Sequence, residues 1–331
     1  MSLMKPSPTG KSKRNRFLGL SSYGWARARW FYVFVAPWLL GLLAFTILPV
    51  SVGLLMSFSN FTGSNFQTYK WVGFANYAEA FNQFFHNGDA WYSLSRTLLF
   101  AGITIPINIS LSFFIAILLT RNIRGQGIFR TLFYLPTIIP LVAGAWIFKL
   151  LFDNNFGVVN AVLNKIIPGT FIHWMTSYSF WVLIMWSVWM GVGGAIVIFM
   201  AGIQGVPTDL VDAAYIDGAS PSQLFLLIIL PLVTPVIFYQ FVVGIIGALQ
   251  VLTQPILLAQ KANSSNGLST IPPRENFMFL VNVYQQSFNQ QRYGYGSALL
   301  WIMFVFILIL TLVVTISGKY WVYYENEPGK N

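Results

Sequence analysis

Long apolar stretches separated by short polar ones dominate the chain. A bilayer core about 30 Å thick takes roughly 20 apolar residues per helix, and six stretches reach that length: Phe31–Phe58, Leu94–Leu119, Leu132–Phe152, Tyr178–Ile203, Phe225–Leu252 and Ala298–Ser317. The pattern predicts an all-α polytopic membrane protein with six transmembrane helices over residues 31–318, a tail over 1–30 and a short tail over 319–331. Six spans, an even number, put both ends on one side. The most polar break inside the apolar part is "VPTDLVDAAYIDGASPSQLF", residues 206–225, with three aspartates and no lysine or arginine.

Composition supports the membrane reading. Hydrophobic residues make up 56% of the 331 positions and charged residues 8%, where a soluble domain devotes about a quarter to charge. The net charge of +10 does not point to nucleic acid, because Lys5, Lys11, Lys13, Arg14, Arg16, Arg27 and Arg29 crowd ahead of the first apolar run. Such a cluster is a topogenic signal. With that long basic lead and an apolar run too long for a signal peptide, the first helix is expected to stay uncleaved. The chain has no cysteine and two distant histidines, His86 and His173, which excludes disulfides and thiolate metal sites.

Basic residues in short loops stay on the cytoplasmic side. The tail and the "RNIRGQGIFR" loop, with Arg121, Arg124 and Arg130, are therefore expected there. Lys70, Lys165, Lys261, Arg274 and Arg292 are scattered over the opposite loops. Alternation makes the 206–225 loop cytoplasmic as well, and it is the one such loop without a basic residue.

Locally, that loop reads as two short helices meeting at a turn. Thr208 is the expected N-cap of the first, with Asp209 and Asp212 set against the positive end of its dipole. Gly218 suits a left-handed C-terminal cap, with Asp217 bracing the turn through backbone N–H groups. Ser220, Pro221 and Gln223 form a capping box that opens the next helix, in which Pro231 and Pro235 are expected to kink or interrupt the run. By itself this is a rigid connector.

The side chains give it a second meaning. Asp212-Ala213-Ala214, Asp217-Gly218-Ala219, Phe225, Ile228 and Pro231 resemble the cytoplasmic signature loop of binding-protein-dependent ABC importer permeases, with aspartate for the usual first glutamate. "KWVGFANY", "RTLLF", "GIFRTLFYLPTIIP", "LFDNNFGVVN" and "YGYGSALLW" are similar, in order, to landmarks of the carbohydrate-uptake branch, the maltose, oligosaccharide and glycerol-phosphate type permeases. The resemblance implies the type I permease fold with a cytoplasmic helix-turn-helix coupling loop. It also implies a second homologous permease, two ATPase subunits that hold ATP and Mg²⁺, an extracytoplasmic solute-binding protein, and no cofactor in this chain.

The resemblance assigns Asp212, Ala213, Ala214, Asp217, Gly218, Ala219 and Phe225 to ATPase docking. Asp212 would pair with a partner arginine for about 1–3 kcal/mol. It implies a substrate pathway along Trp189, Met190, Gly191 and Gly194, then Gly244, Gly247, Ala248 and Val251, with Gln250 as the best polar candidate. A sugar would stack on an aromatic ring and bond to amides. Asn108, Gln240 and Gln254 are costly in lipid and should face protein or a cavity, helix-to-helix bonding being their simpler role. Lys149 and Asp153 are spaced for a local ion pair.

Other classes fit less well. A self-sufficient transporter or channel calls for carboxylates or cations inside the spans, whereas every Asp and Glu falls in a loop, a tail or a helix end. An enzyme calls for a nucleophile and base, a metal cluster or a phosphate loop, none of which the sequence supplies. A polyol, glucoside or glycerophosphate-type solute is the main alternative to a sugar or oligosaccharide. The expected setting is a bacterial or archaeal inner membrane, in contact with lipid, with both termini cytoplasmic.

Overall fold

The computed structural model describes residues 22–63, 69–121, 124–259 and 272–323. Lys5, Lys11, Lys13, Arg14 and Arg16, the side chain of Arg27, Lys261 and the tail beyond 323 lie outside them. The described secondary structure is helical, joined by one isolated bridge between Ser59 and Trp71. The chain divides into two compact units, Met1–Leu55 and Met56–Asn331.

The described residues of the first unit form one helical run. α1 (Ser22–Leu42) passes through a π turn at Leu43–Ile47 into α2 (Leu48–Ser57), which ends just inside the second unit. Arg29–Ser57 is long and apolar enough to cross a bilayer.

In the second unit, α3 (Ala75–Phe85) precedes α4 (Asp89–Thr120), the longest helix described. α5 (Gln126–Ile138) and α6 (Leu141–Leu151) follow, then α7 (Val158–Ile166), α8 (Trp174–Ser177) and α9 (Ser179–Gln204). α10 (Thr208–Ile216) and α11 (Pro221–Leu224) occupy the acidic loop, and a π turn at Phe225–Ile229 leads into α12 (Leu230–Leu249). α13 (Thr253–Leu258), α14 (Phe279–Tyr284) with its π turn Gln285–Asn289, and α15 (Tyr293–Trp321) are the remaining helices among the described residues.

Four of these helical runs in the second unit pass the length and hydropathy needed for a straight span: Asp89–Thr120, Ser179–Gln204, Pro221–Leu249 and Tyr293–Trp321. The expected third span is different. α5 and α6 meet at an angle of 100°, so Leu132–Phe152 is not one rod. Pro140 lacks an N–H and forces its neighbour out of the α region, and Ile139 and Pro140 both take extended ψ angles near +130°. At about 1.5 Å per residue neither piece alone reaches across the hydrocarbon core.

α4 shows why the bundle packs where it does. Its buried residues are Ala90, Ser93, Thr97, Phe100, Ala101, Thr104, Ile105, Ser112, Ala116 and Leu119, a single stripe at three- and four-residue steps on a helix that is apolar all round. Lipid provides no hydrophobic drive between helices, so the stripe is chosen by shape, with small side chains that let backbones approach. Hydroxyls on it fold back to carbonyls, Thr97 Oγ1 donating to Ser93 O at 2.8 Å and Thr104 Oγ1 to Phe100 O at 2.7 Å. Against this stripe pack α9 and α12. Gly193 of α9 has the closest approach to α5: a Cβ there would strike the Phe133 carbonyl and lie 2.6 Å from Thr137 Oγ1.

At the end of the bundle away from the acidic loop, buried side chains tie the connections down. Asn276 Nδ2 donates to Ser179 O at 3.2 Å, and Thr97 Oγ1 accepts from the Phe279 N–H at 2.8 Å. The expected Lys149–Asp153 pair gives way to separate roles. Lys149 Nζ donates to Ala259 O at 2.9 Å, while Asp153 Oδ1 accepts from the N–H groups of Phe156 and Asn155 at 2.9 and 2.8 Å. Those bonds hold the Asp153 carboxyl below the usual carboxylate range, that of Phe156 first. Two ion pairs occur among the described residues, Arg274–Asp89 and Arg292–Glu79.

Candidate functional site

Two features of the second unit have the makings of a functional site: the acidic loop, and a cavity between α4, α9 and α12.

The loop is built almost wholly by local chemistry. α10 begins at Thr208 with Pro207 in the cap position and no side-chain cap, so Thr208 is the first helical residue and not the N-cap. Asp209 sits in the first turn, at the positive end of the dipole. The helix closes in a Schellman motif: Ala219 N–H donates to Ala214 O at 2.9 Å and Gly218 N–H to Tyr215 O at 3.1 Å, with Gly218 at φ +77°. Among the described residues no hydrogen bond reaches the Asp217 carboxylate, so backbone bonds, not that side chain, hold the turn. The capping box is complete. Ser220 Oγ accepts from Gln223 N–H at 3.3 Å, and Gln223 Oε1 accepts from Ser220 N–H at 2.8 Å. Pro231 interrupts the next helix gently: the preceding turn widens to a π turn in which Leu230 N–H donates to Phe225 O.

The loop residues divide by exposure. Asp212, Ala213, Asp217 and Gly218 are exposed, Ala219 is half-buried and Ala214 is buried. Phe225 turns away from the exposed surface into the bundle, its ring centroid 6.0 Å from Phe113 of α4, which lies 5.3 Å from Phe199 of α9. Sequence reasoning grouped it with the docking surface and passed over Ile216, which is 86% exposed at the loop tip. Ile216 stands two residues, about 200°, from the buried Ala214 and so points away from the bundle.

The cavity has a volume of about 390 Å³, within the roughly 300–1,000 Å³ of small-ligand sites. Gly191, Gly194, Gly244, Gly247, Ala248 and Val251 all line it. Trp189, Met190 and Gln250 do not. Trp189 packs its ring 5.5 Å from Phe148, and Met190 lies against α5 and α6, its carbonyl accepting from Thr137 Oγ1 at 3.3 Å and its sulfur 3.6 Å from where a Gly144 Cβ would stand. Gln250 caps the end of α12 and faces a separate pocket beside α15. Helical phase explains Trp189: positions 187, 188, 191, 194, 195 and 198 form one stripe of α9, and at 100° per residue Trp189 falls on the opposite side. Gln250 has another cause: it follows the stripe 240, 243, 244, 247 and 248 of α12 but stands past Leu249, where the helix has ended and its backbone is no longer helical.

The polar groups on the wall are instead Asn108, Gln240 and Gln254, with Thr104 and Ser187. Phe100 is the aromatic ring among them, and no charged side chain lines the cavity among the described residues. Ser187 Oγ is buried without a hydrogen-bond partner.

Residues 80–322 match a single family throughout, the one described as the inner membrane component of binding-protein-dependent transport systems. The chain belongs to that family. Among relatives of this permease are a probable ABC transporter permease protein, YesP, of Bacillus subtilis, 34% identical over 89% of this chain and 92% of its own length. Another is a probable starch degradation products transport system permease protein, AmyD, of Thermoanaerobacterium thermosulfurigenes, 28% identical over 86% of this chain and 92% of its own. In fold, the permease resembles a chain of a bacterial ABC transporter involved in the import of the acidic polysaccharide alginate, at a TM-score of 0.75 and 21% identity, covering 89% of this chain and 96% of that one.

Proposed function

We propose that this permease is one of two pathway-forming subunits of an ATP-driven importer of a sugar or oligosaccharide. A second homologous permease completes the pathway, a solute-binding protein delivers substrate from outside, and two ATPase subunits bind ATP and Mg²⁺. The loop at residues 206–225 is cytoplasmic, as are both termini, and docks on one ATPase. The observation that carries the reading is mechanical continuity: the loop runs without a break through Pro221–Leu249 to the cavity wall at Gln240, Gly244 and Gly247.

In the loop, Asp212 and Ala213 face the ATPase together with Ile216, while Gly218, Ala219 and the Ser220 cap hold the shape. Ala214 keeps the two short helices close. Phe225 works inward, passing displacement to α4 and α9 through Phe113 and Phe199. ATP-driven closure of the ATPase pair shifts this assembly between two packed arrangements. Along the cavity, Gly191, Gly194, Gly244, Gly247 and Ala248 provide room, and the amides provide polar contact for a polyhydroxyl solute. The starch-product substrate in the name of AmyD supports a carbohydrate.

Co-expression of the permease with its neighbouring genes, affinity purification and uptake into proteoliposomes test the reading. Expected are co-purifying ATPase and second permease, and sugar uptake that requires internal or external ATP on the loop side. A chain that emerges alone and carries solute without ATP would end it.

A further inference from the structure

The cavity holds one polar group whose position is built by its neighbours. Asn108 of α4 stands opposite Gly191 of α9, and its Nδ2 lies so close over that glycine that a Cβ there would collide with it. The other end of the amide faces the interface: Ser112 Oγ, one turn further along α4, shares its one proton between Val192 O at 3.4 Å and Asn108 Oδ1 at 3.5 Å. Oδ1 is thus directed into the helix interface, and Nδ2 remains as the donor on the cavity wall. Gln240 and Gln254 line the same wall with no hydrogen-bond partner among the described residues. A polar group in a membrane-embedded cavity that the protein itself leaves unpaired is paid for only by water or ligand. Among the described residues the cavity lining carries no charge.

We propose that Asn108 is the specificity-determining residue of this half of the pathway, donating a hydrogen bond from Nδ2 to a hydroxyl of a neutral polyhydroxyl solute, with Gly191 and Ser112 fixing its orientation. This rests on the importer reading above. Two consequences follow from the geometry. The amide and Gly191 form a steric pair, so enlarging one is relieved by shrinking the other. A site made of neutral amides and hydroxyls selects against an anionic solute, which needs a cation that the described residues of this wall do not supply.

The test uses the full complex in proteoliposomes with ATP, taking uptake of maltose, trehalose, arabinobiose and glycerol 3-phosphate, together with the melting temperature of the assembled complex. For the wild type, uptake of a neutral sugar and none of glycerol 3-phosphate is expected. Asn108→Ala and Asn108→Leu should lower sugar uptake about ten- to a hundredfold, the range for a lost buried hydrogen bond. Gly191→Ala should lower both uptake and melting temperature. The double variant Gly191→Ala with Asn108→Ala should recover the melting temperature and leave uptake low. If the double variant recovers uptake too, Asn108 is only packing and the proposal falls; it falls equally if Asn108→Ala transports as the wild type does. Uptake of glycerol 3-phosphate in preference to every sugar by the wild type would overturn the carbohydrate reading itself, a different failure from either of these.

Discussion

Gly218 sets the shape of the acidic loop, the proposed docking element, through its backbone alone, which makes its replacement unusually easy to interpret. At φ +77° the residue is left-handed, and nothing lies within 4 Å of where a Cβ would stand. Any effect of a larger side chain is therefore conformational and not a clash. Holding alanine in that region costs about 1–2 kcal/mol, asparagine less because its short polar side chain tolerates it, and valine more. Proline, fixed near −65°, has no access to it. A penalty of about 1–2 kcal/mol lowers the population of the docking-ready loop by roughly 5–30-fold, while the membrane spans are untouched. ATPase affinity for the permease in nanodiscs, and ATP-driven uptake, should therefore fall in the order Gly, Asn, Ala, Val, Pro, with equal yields of inserted protein. An alanine variant that binds the ATPase as tightly as wild type would refute the reasoning, as would an asparagine variant weaker than alanine.

Charge reversal in Asp212→Lys should abolish co-purification of the ATPase, whereas Asp212→Glu should retain or strengthen it; retained co-purification of the lysine variant would remove Asp212 from the contact. Phe225→Ala should leave ATPase binding intact and lower uptake per ATP hydrolysed several-fold, because the Phe113 contact lies on the inner side of the loop; equal loss of binding and uptake would place Phe225 in the docking face instead. Gly193→Ala drives a methyl into the Phe133 carbonyl, an overpacking worth about 1–3 kcal/mol, and should lower the melting temperature of the complex; no change would mean that α5 and α9 separate freely. At Asp153 the folded pKa is depressed, so its bonds to the 155 and 156 amides are present above the ordinary carboxylate range and are lost as pH falls through the folded value. Amide exchange at those two residues, corrected for intrinsic rate, should show protection at pH 7 that Asp153→Ala removes.

Much of the bundle was legible because span length and turn chemistry are local. The capping box at Ser220 and Gln223, the glycine cap at 218 and the starts of α9 and α15 within five residues of the apolar runs follow from residue types at fixed spacings. What was not legible is the direction in which a helix faces. α4, α9 and α12 are apolar on every side, so periodicity marks no core face, and the block 189–191 was taken together although only Gly191 lies on the cavity stripe. Counting phase from Gly244 would have admitted Gln240, whereas Gln250 drops out because α12 ends one residue before it. The break between α5 and α6 had a visible cause in Pro140, masked by the unbroken hydropathy around it. Asn108 carried its signal in its cost: an amide amid apolar residues has to be answered by something, and the glycine that answers it lies 83 positions away in sequence.

The run from Pro221 to Leu249 has a further consequence as a lever. Gly244 stands about 35 Å along it from Pro221, at 1.5 Å per residue. If the loop end is the fulcrum, a tilt of about 5° sweeps Gly244 sideways by about 3 Å over that arm, roughly the width of one water molecule. Under the proposed docking, a small rotation delivered at the loop is thus geared up into a stroke comparable with the clearance around a sugar hydroxyl. The π turn at Phe225–Ile229 sits close to the fulcrum, where any slack in it would be multiplied most.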